Sequence, residues 1–302
     1  MRTLLISQLT ALVAATSIKR FAMLLAVIAI TCVAAPTAHA VTTYSHTWVS
    51  GTGTSNSQCS VTSPCQTFAQ AIAVTASGGE IDCLDPGDFG PVTITISVTI
   101  DCEGASNGGI TYTTDTNAIT INGANIVVNL IGLELNGSGN STGYGGVGID
   151  QAGYVNIRNC KIYGFAGGQG IYFQSGTLVA DNVFVANNGA GIYEQSWSGA
   201  INMSVRNSNI NNNNGYGILV NVTFGTHAGA TIEQTTLAFN TESGLYVIGP
   251  GAVAVIGGST VVNNNVGVDN AATLFSFKNN QIGGNGTDIS GTITPYPRGP
   301  LN

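Results

Sequence analysis

Short segments rich in Ile and Val return along this chain at Ile81, Ile100, Ile119, Ile149, Ile171, Ile192, Ile218, Leu245, Val268 and Ile289, at gaps of 19 to 30 residues. A second alternating segment follows many of them, as at Tyr154–Arg158, Ile201–Arg206 and Leu274–Lys278. A third short apolar piece comes after a polar corner, at Ile162, Phe184, Ile210, Leu237, Val261 and Ile282. Period-2 alternation of β-branched residues is a strand signal, and such a period leaves no room for a ten-residue helix. Self-similarity at 20–50 residues marks a solenoid, in which each repeat buries its apolar face only against its neighbours. The expected fold is therefore all-β: a parallel β-helix with three strands per coil and about ten rungs over residues 78–293.

Stacked coils place like residues over like, so columns can be read directly. One corner column runs Asn159, Asp181, Asn207, Gln234, Gly258, Asn279; another runs Asn187, Asn213, Asn240, Asn264, Asn285. Asn tolerates left-handed backbone, and its amide can bond the residues above and below. These asparagines read as structural.

The first 40 residues read as a signal peptide. Lys19 and Arg20 precede an apolar run from Phe21 to Ala35, and Ala38-His39-Ala40 is an A-x-A cleavage pattern before Val41. The run is shorter than the ~20 residues a membrane span needs. The expected product is secreted, extracellular or periplasmic, with no transmembrane span and monomeric. Removing Arg2, Lys19 and Arg20 leaves 5 basic and 15 acidic side chains in the mature chain. Nucleic-acid phosphates would be repelled, which excludes that partner class. In an oxidising compartment Cys59 and Cys65 flank a short turn and are expected to pair. Cys83 and Cys102, in matching Ile-Asp-Cys tripeptides, would pair if those tripeptides stack as neighbouring strands. Cys160 reads as a small buried hydrophobe.

With Asn at the corner between second and third strands, the rung pattern resembles the right-handed parallel β-helix of the pectate-lyase-like superfamily. The stretch from Thr47 to Gly104, with Cys-Ser-Val-Thr-Ser-Pro-Cys-Gln-Thr-Phe-Ala-Gln-Ala-Ile and Leu84-Asp85-Pro86-Gly87-Asp88-Phe89-Gly90, resembles the start of secreted bacterial β-helix proteins of uncertain role. That likeness makes Thr67–Ala76 a short helix plugging the open end of the core, within a cap region over 41–77, and leaves 294–302 as a tail.

Function must come from outward columns. The first-strand column reads Asp82, Asp101, Thr120, Asp150, Tyr172, Tyr193, Leu219, Tyr246, Asp269, Ser290. Adjacent acids repel unless compensated. In the resembling lyases such acids hold calcium, which makes Asp82, Asp101 and Asp150 candidate ligands; the plainer reading is solvated carboxylates. Tyr172 and Tyr193, with Trp197 nearby and Tyr246 farther along, form an aromatic strip. Such rings can stack on sugars while their polar tips hydrogen-bond, although tyrosine also suits ordinary sheet surface. A second-strand column, Arg158, Ala180, Arg206, Glu233, Gly257 and Lys278, gathers basic residues, with Lys161 nearby. In the resembling fold it would point away from the acids. Glu194 falls at an inward position; it is the candidate general acid, or else the mark of a local break. The polygalacturonase signatures Asn-Thr-Asp, Asp-Asp, Gly-His-Gly and Arg-Ile-Lys do not occur.

The expectation is a secreted protein that binds polysaccharide on its aromatic face without cleaving it and requires no cofactor. The alternatives are a calcium-dependent polysaccharide lyase or related glycan-active enzyme, and a purely structural surface protein.

Overall fold

A computed structural model describes residues 42–105, 108–111, 116–139, 141–224 and 227–297. The expected leader at 1–40 and the last five residues of the tail lie outside them. The chain forms a parallel β-solenoid of about eight turns with one short helix.

Its strands stack as three parallel ladders. The first runs from Tyr44–Thr54 and Thr75–Cys83 through Val98–Asp101, Val127–Ile131, Tyr154–Arg158, Thr177–Asp181, Ala200–Arg206 and His227–Glu233. The second begins at Val92–Ile94 and continues through Ile119–Asn122, Val147–Gln151, Gln169–Phe173, Ala190–Ser196 and Ile218–Val222. Two long strands, Ser243–Gly257 and Val266–Ser276, pass through both and join them into an 18-stranded sheet. A separate nine-stranded sheet of two- to four-residue strands runs from Gly87–Asp88 to Gln281–Gly283. Alternation buries every second residue: Val155 and Ile157 face inward, while Tyr154 and Arg158 are exposed.

From Ile171 to Ile289 the predicted Ile, Leu and Val positions stack in the predicted register, whereas in the nine-stranded sheet Val185, not the exposed Phe184, lies between Ile162 and Ile210. Before Ile171 the register is different. Ile100 stacks on Leu130, not Ile119, so the Ile-Asp-Cys strands belong to the first ladder. Ile119 stacks on Val147, and Ile149 on Ile121 and Phe173. Both ladders carry the same alternation, and a pattern of period 2 cannot say which of two ladders a strand joins.

Two corner columns adopt left-handed backbone. One comprises Gly132, Asn159, Asn182, Asn207, Gln234, Gly258 and Lys278; the other comprises Gly164, Asn187, Asn212, Phe239, Asn263 and Gly284. In the first, Asn182 replaces the predicted Asp181, and Lys278 the predicted Asn279. In the second, the corner residues precede the buried amide ladder by one position, and that ladder starts at Asn188 instead of Asn187. Phe239 is the bulkiest residue in these columns, with φ at 57° and 56% of its surface exposed. Left-handed backbone costs a residue with a Cβ about 1–2 kcal/mol, less for Asn. Phe239→Asn should therefore raise stability by about 1 kcal/mol. A higher urea midpoint with unchanged slope would show it; an equal or lower midpoint would mean the ring's contacts outweigh the strain.

The helix is shorter than predicted, Phe68–Val74. Thr67 caps it: its hydroxyl accepts from the Gln70 amide at 3.2 Å while the Gln70 side chain accepts from the Thr67 amide at 3.3 Å. Phe68 packs edge-on against Phe89, ring centres 5.0 Å apart, closing the core at this end. Thr75 leaves the helix for the next strand and bonds the Thr47 hydroxyl at 2.8 Å. Both predicted cysteine pairs, Cys59 with Cys65 and Cys83 with Cys102, are at disulfide distance, each with Cα atoms 4.7 Å apart. Cys160 is buried and unpaired, and burial pushes its thiol up to about 12. No helix among the described residues is long and apolar enough to cross a membrane.

Candidate functional site

The outward column of the second ladder reads Thr93, Thr120, Gly148, Tyr172, Tyr193, Leu219, Tyr246, Asp269, Ser290. The predicted strip is thus assembled by stacking. Tyr172 and Tyr193 meet edge to face with ring centres 5.5 Å apart. Past the strand end, Trp197 turns back and donates its indole N–H to the Tyr172 hydroxyl at 3.2 Å. That hydroxyl donates in turn to Gln195 Oε1 at 2.8 Å, and Gln195 donates to the Thr223 hydroxyl at 3.0 Å. Trp197 packs on Phe224, 5.5 Å between centres, yet 43% of Trp197 and 76% of Phe224 remain exposed. Tyr216 packs on Tyr246 at 5.4 Å and extends the strip.

Phe224 and Tyr216 escaped the column reading because they sit outside the strands; Phe-Gly and Tyr-Gly in polar turns were the available signal. Burial raises the phenol of Tyr172, with the Trp197 bond opposing it. Burial, then the Glu242 hydrogen bond, pushes Tyr216 up to about 12. Burial and Asp269 raise Tyr246. These hydroxyls stay protonated at neutral pH and can donate. At the ~4.8 Å ladder spacing, Tyr172 to Tyr246 covers four rungs, three spacings or about 14 Å.

The charged residues along this face are acids. Asp150 accepts from Gln174 Nε2 at 3.3 Å, Glu242 bonds Tyr216, and Asp269 follows Tyr246 in the column. Arg158, Lys161, Arg206 and Lys278 all lie on or beside the other strand stacks.

Glu194 stands in the inward column between Phe173 and Val220. It is 0% exposed, and neither carboxyl oxygen has a hydrogen-bond partner among the described residues. Burial alone pushes its pKa well above the ordinary carboxyl range. A general acid must reach its substrate, and from inside the core this one does not touch the outer face.

The acids expected to hold calcium are divided. Asp82 and Asp101 are neighbours, but in the first ladder, whose outward column reads Trp48, Asp82, Asp101, Ile131, Arg158, Asp181, Arg206, Glu233, Gly257. Asp150 lies in the second ladder, at a register break. The acid and basic columns, expected to point apart, are one column. Ala180 is buried and faces inward, and Asp181 takes its place between the arginines. Arg206 Nε lies 3.1 Å from Asp181, and Arg158 lies 3.7 Å from Glu103. The Asn207 amide, then Arg206, holds the Asp181 carboxyl below its ordinary value.

Neither a family model, a curated protein nor a solved structure matches this chain. Its function rests on the geometry alone.

Proposed function

We propose that this chain is a secreted, right-handed β-helix protein of the pectate-lyase-like kind that holds a polysaccharide on its outer aromatic face without cleaving it. The observation that carries the reading is the Tyr172–Tyr193–Trp197–Phe224 assembly, in which broad apolar rings stay in water while hydroxyl and amide groups line their edges. Rings held by hydrogen bonds lose little freedom on binding, and sugar faces stack on them. Asp150, Glu242 and Asp269, with no facing cation among the described residues, disfavour uronate chains, so the ligand class is a neutral glycan.

Retention of the chain on neutral polysaccharides in affinity electrophoresis tests this. Trp197→Ala with Tyr172→Ala should weaken retention about tenfold, equal to ~1.4 kcal/mol. Both residues lie outside the core, so circular dichroism should be unchanged. Equal retention of folded variant and parent would sink the proposal.

One observation favours a second reading, a calcium-dependent polysaccharide lyase: Asp82, Asp101 and Glu103 share a face with Arg158. It requires calcium-dependent release of unsaturated ends from an acidic polysaccharide, lost in Asp101→Asn. If neither retention nor release occurs, a structural surface role is what stays.

A further inference from the structure

We infer that the first two strands of the solenoid carry a site for a divalent transition metal, with His46, Glu80 and Asp82 as ligands. Strand Tyr44–Thr54 runs parallel to Thr75–Cys83, with His46 opposite Glu80 and Trp48 opposite Asp82. Thr47, Val49, Ile81 and Cys83 point inward, so alternation sends His46, Trp48, Glu80 and Asp82 to the outer face. The ligand atoms of His46, Glu80 and Asp82 lie within 4.8 Å of one another. His46 Nε2 already sits 2.7 Å from Asp82 Oδ2.

The imidazole is held in place. Its ring lies flat on the Trp48 indole, centres 4.2 Å apart and planes 17° from parallel. With that ring fixed and both acids on one strand, little ordering is left for an ion to impose. Beside the three ligands is a depression lined by Glu80, Asp82, Leu84, Asp101 and Glu103, which leaves further coordination positions to water or a ligand. Of the described Lys and Arg side chains, only Arg158 forms an ion pair there, at 3.7 Å from Glu103. A cation relieves the remaining repulsion.

The donor set decides the metal. One imidazole nitrogen and two carboxylates suit zinc, cobalt, nickel or copper, whereas calcium takes six to eight oxygens and has no use for His46. The site is distinct from the aromatic face, and its ion would tie the edge strand to the strand beneath it.

The test uses the untagged mature chain. In a Trp197→Phe background Trp48 is the sole tryptophan. Copper(II) or cobalt(II) should quench its fluorescence and saturate at one equivalent; zinc should compete, and calcium should not. His46→Ala should lower affinity by at least the roughly tenfold that loss of even an outer-shell partner costs. Glu80→Gln, which leaves the His46–Trp48 stack in place, should also weaken binding; it serves as the second variant if His46→Ala fails to fold. Absence of saturable quenching, affinity unchanged in either variant, or calcium competing as well as zinc would each overturn the assignment.

Discussion

Asn213→Ala is expected to cost the solenoid roughly 3–5 kcal/mol, because it breaks several buried hydrogen bonds at once. Asn213 Oδ1 accepts from the backbone amide of Asn188 at 3.1 Å and from its side-chain amide at 3.2 Å. Its own backbone and side-chain amides donate to Asn240 Oδ1 at 3.2 and 2.9 Å, and the side chain also donates to the Val185 carbonyl at 3.4 Å. The pattern repeats through Asn240 and Asn264 to Asn285, where Asp288 accepts both last donors at 3.0 Å. Truncation strips partners from the rungs on both sides, and each buried orphan costs about 1–3 kcal/mol. Equilibrium urea unfolding would read the loss. In a solenoid whose repeats contact only their neighbours, the transition should also broaden. Asn285→Ala, at a half-buried rung, should cost less. A loss under 1 kcal/mol at Asn213 would mean that water or a backbone shift replaces the lost partners.

Glu194→Met should stabilise the fold, and the gain should grow with pH. The buried carboxyl has no partner among the described residues, so the folded chain holds its proton at pH values where the unfolded chain, with its ordinary pKa of 4.5, has released it. A carboxyl raised in the folded state penalises folding as pH climbs through the window between the two values. Below 4.5 both states are protonated and the penalty vanishes. Inside the window parent stability falls by about 1.4 kcal/mol per pH unit relative to the variant. Thermal unfolding of both proteins at pH 4 and pH 8 would test this. The variant should unfold higher at pH 8, with the gap shrinking toward pH 4. An equal gap at both values would show that the carboxyl has a partner or reaches water.

Much of this molecule is legible residue by residue. The Ile and Val period specifies stacked strands because only like-on-like stacking buries segments this short. Asn at repeated corners specifies the turns because few residues tolerate left-handed backbone. The short capping helix after Thr67 came from the family likeness, and Phe68, Ala71 and Val74 form its buried face behind both capping hydrogen bonds. Tyr172 and Tyr193 could be paired from their equal places in consecutive repeats.

What the sequence left open was decided in three dimensions. Ile81 and Ile100 carry the same alternation as Ile119, yet they stack in another ladder, and that brings Asp82 and Asp101 into one column with Arg158 and separates them from Asp150. His46 and Trp48 lie before the first recognised repeat; only the edge pairing with Thr75–Cys83 shows them facing Glu80 and Asp82. Phe224 reaches Trp197 across 27 residues of chain. Alternation fixes which face a residue takes, because side chains reverse at every step of a strand. Which strand lies beside it depends on loop lengths and corner geometry, and that choice, made only when the coils close, sets the neighbours across rungs from which both candidate sites are built.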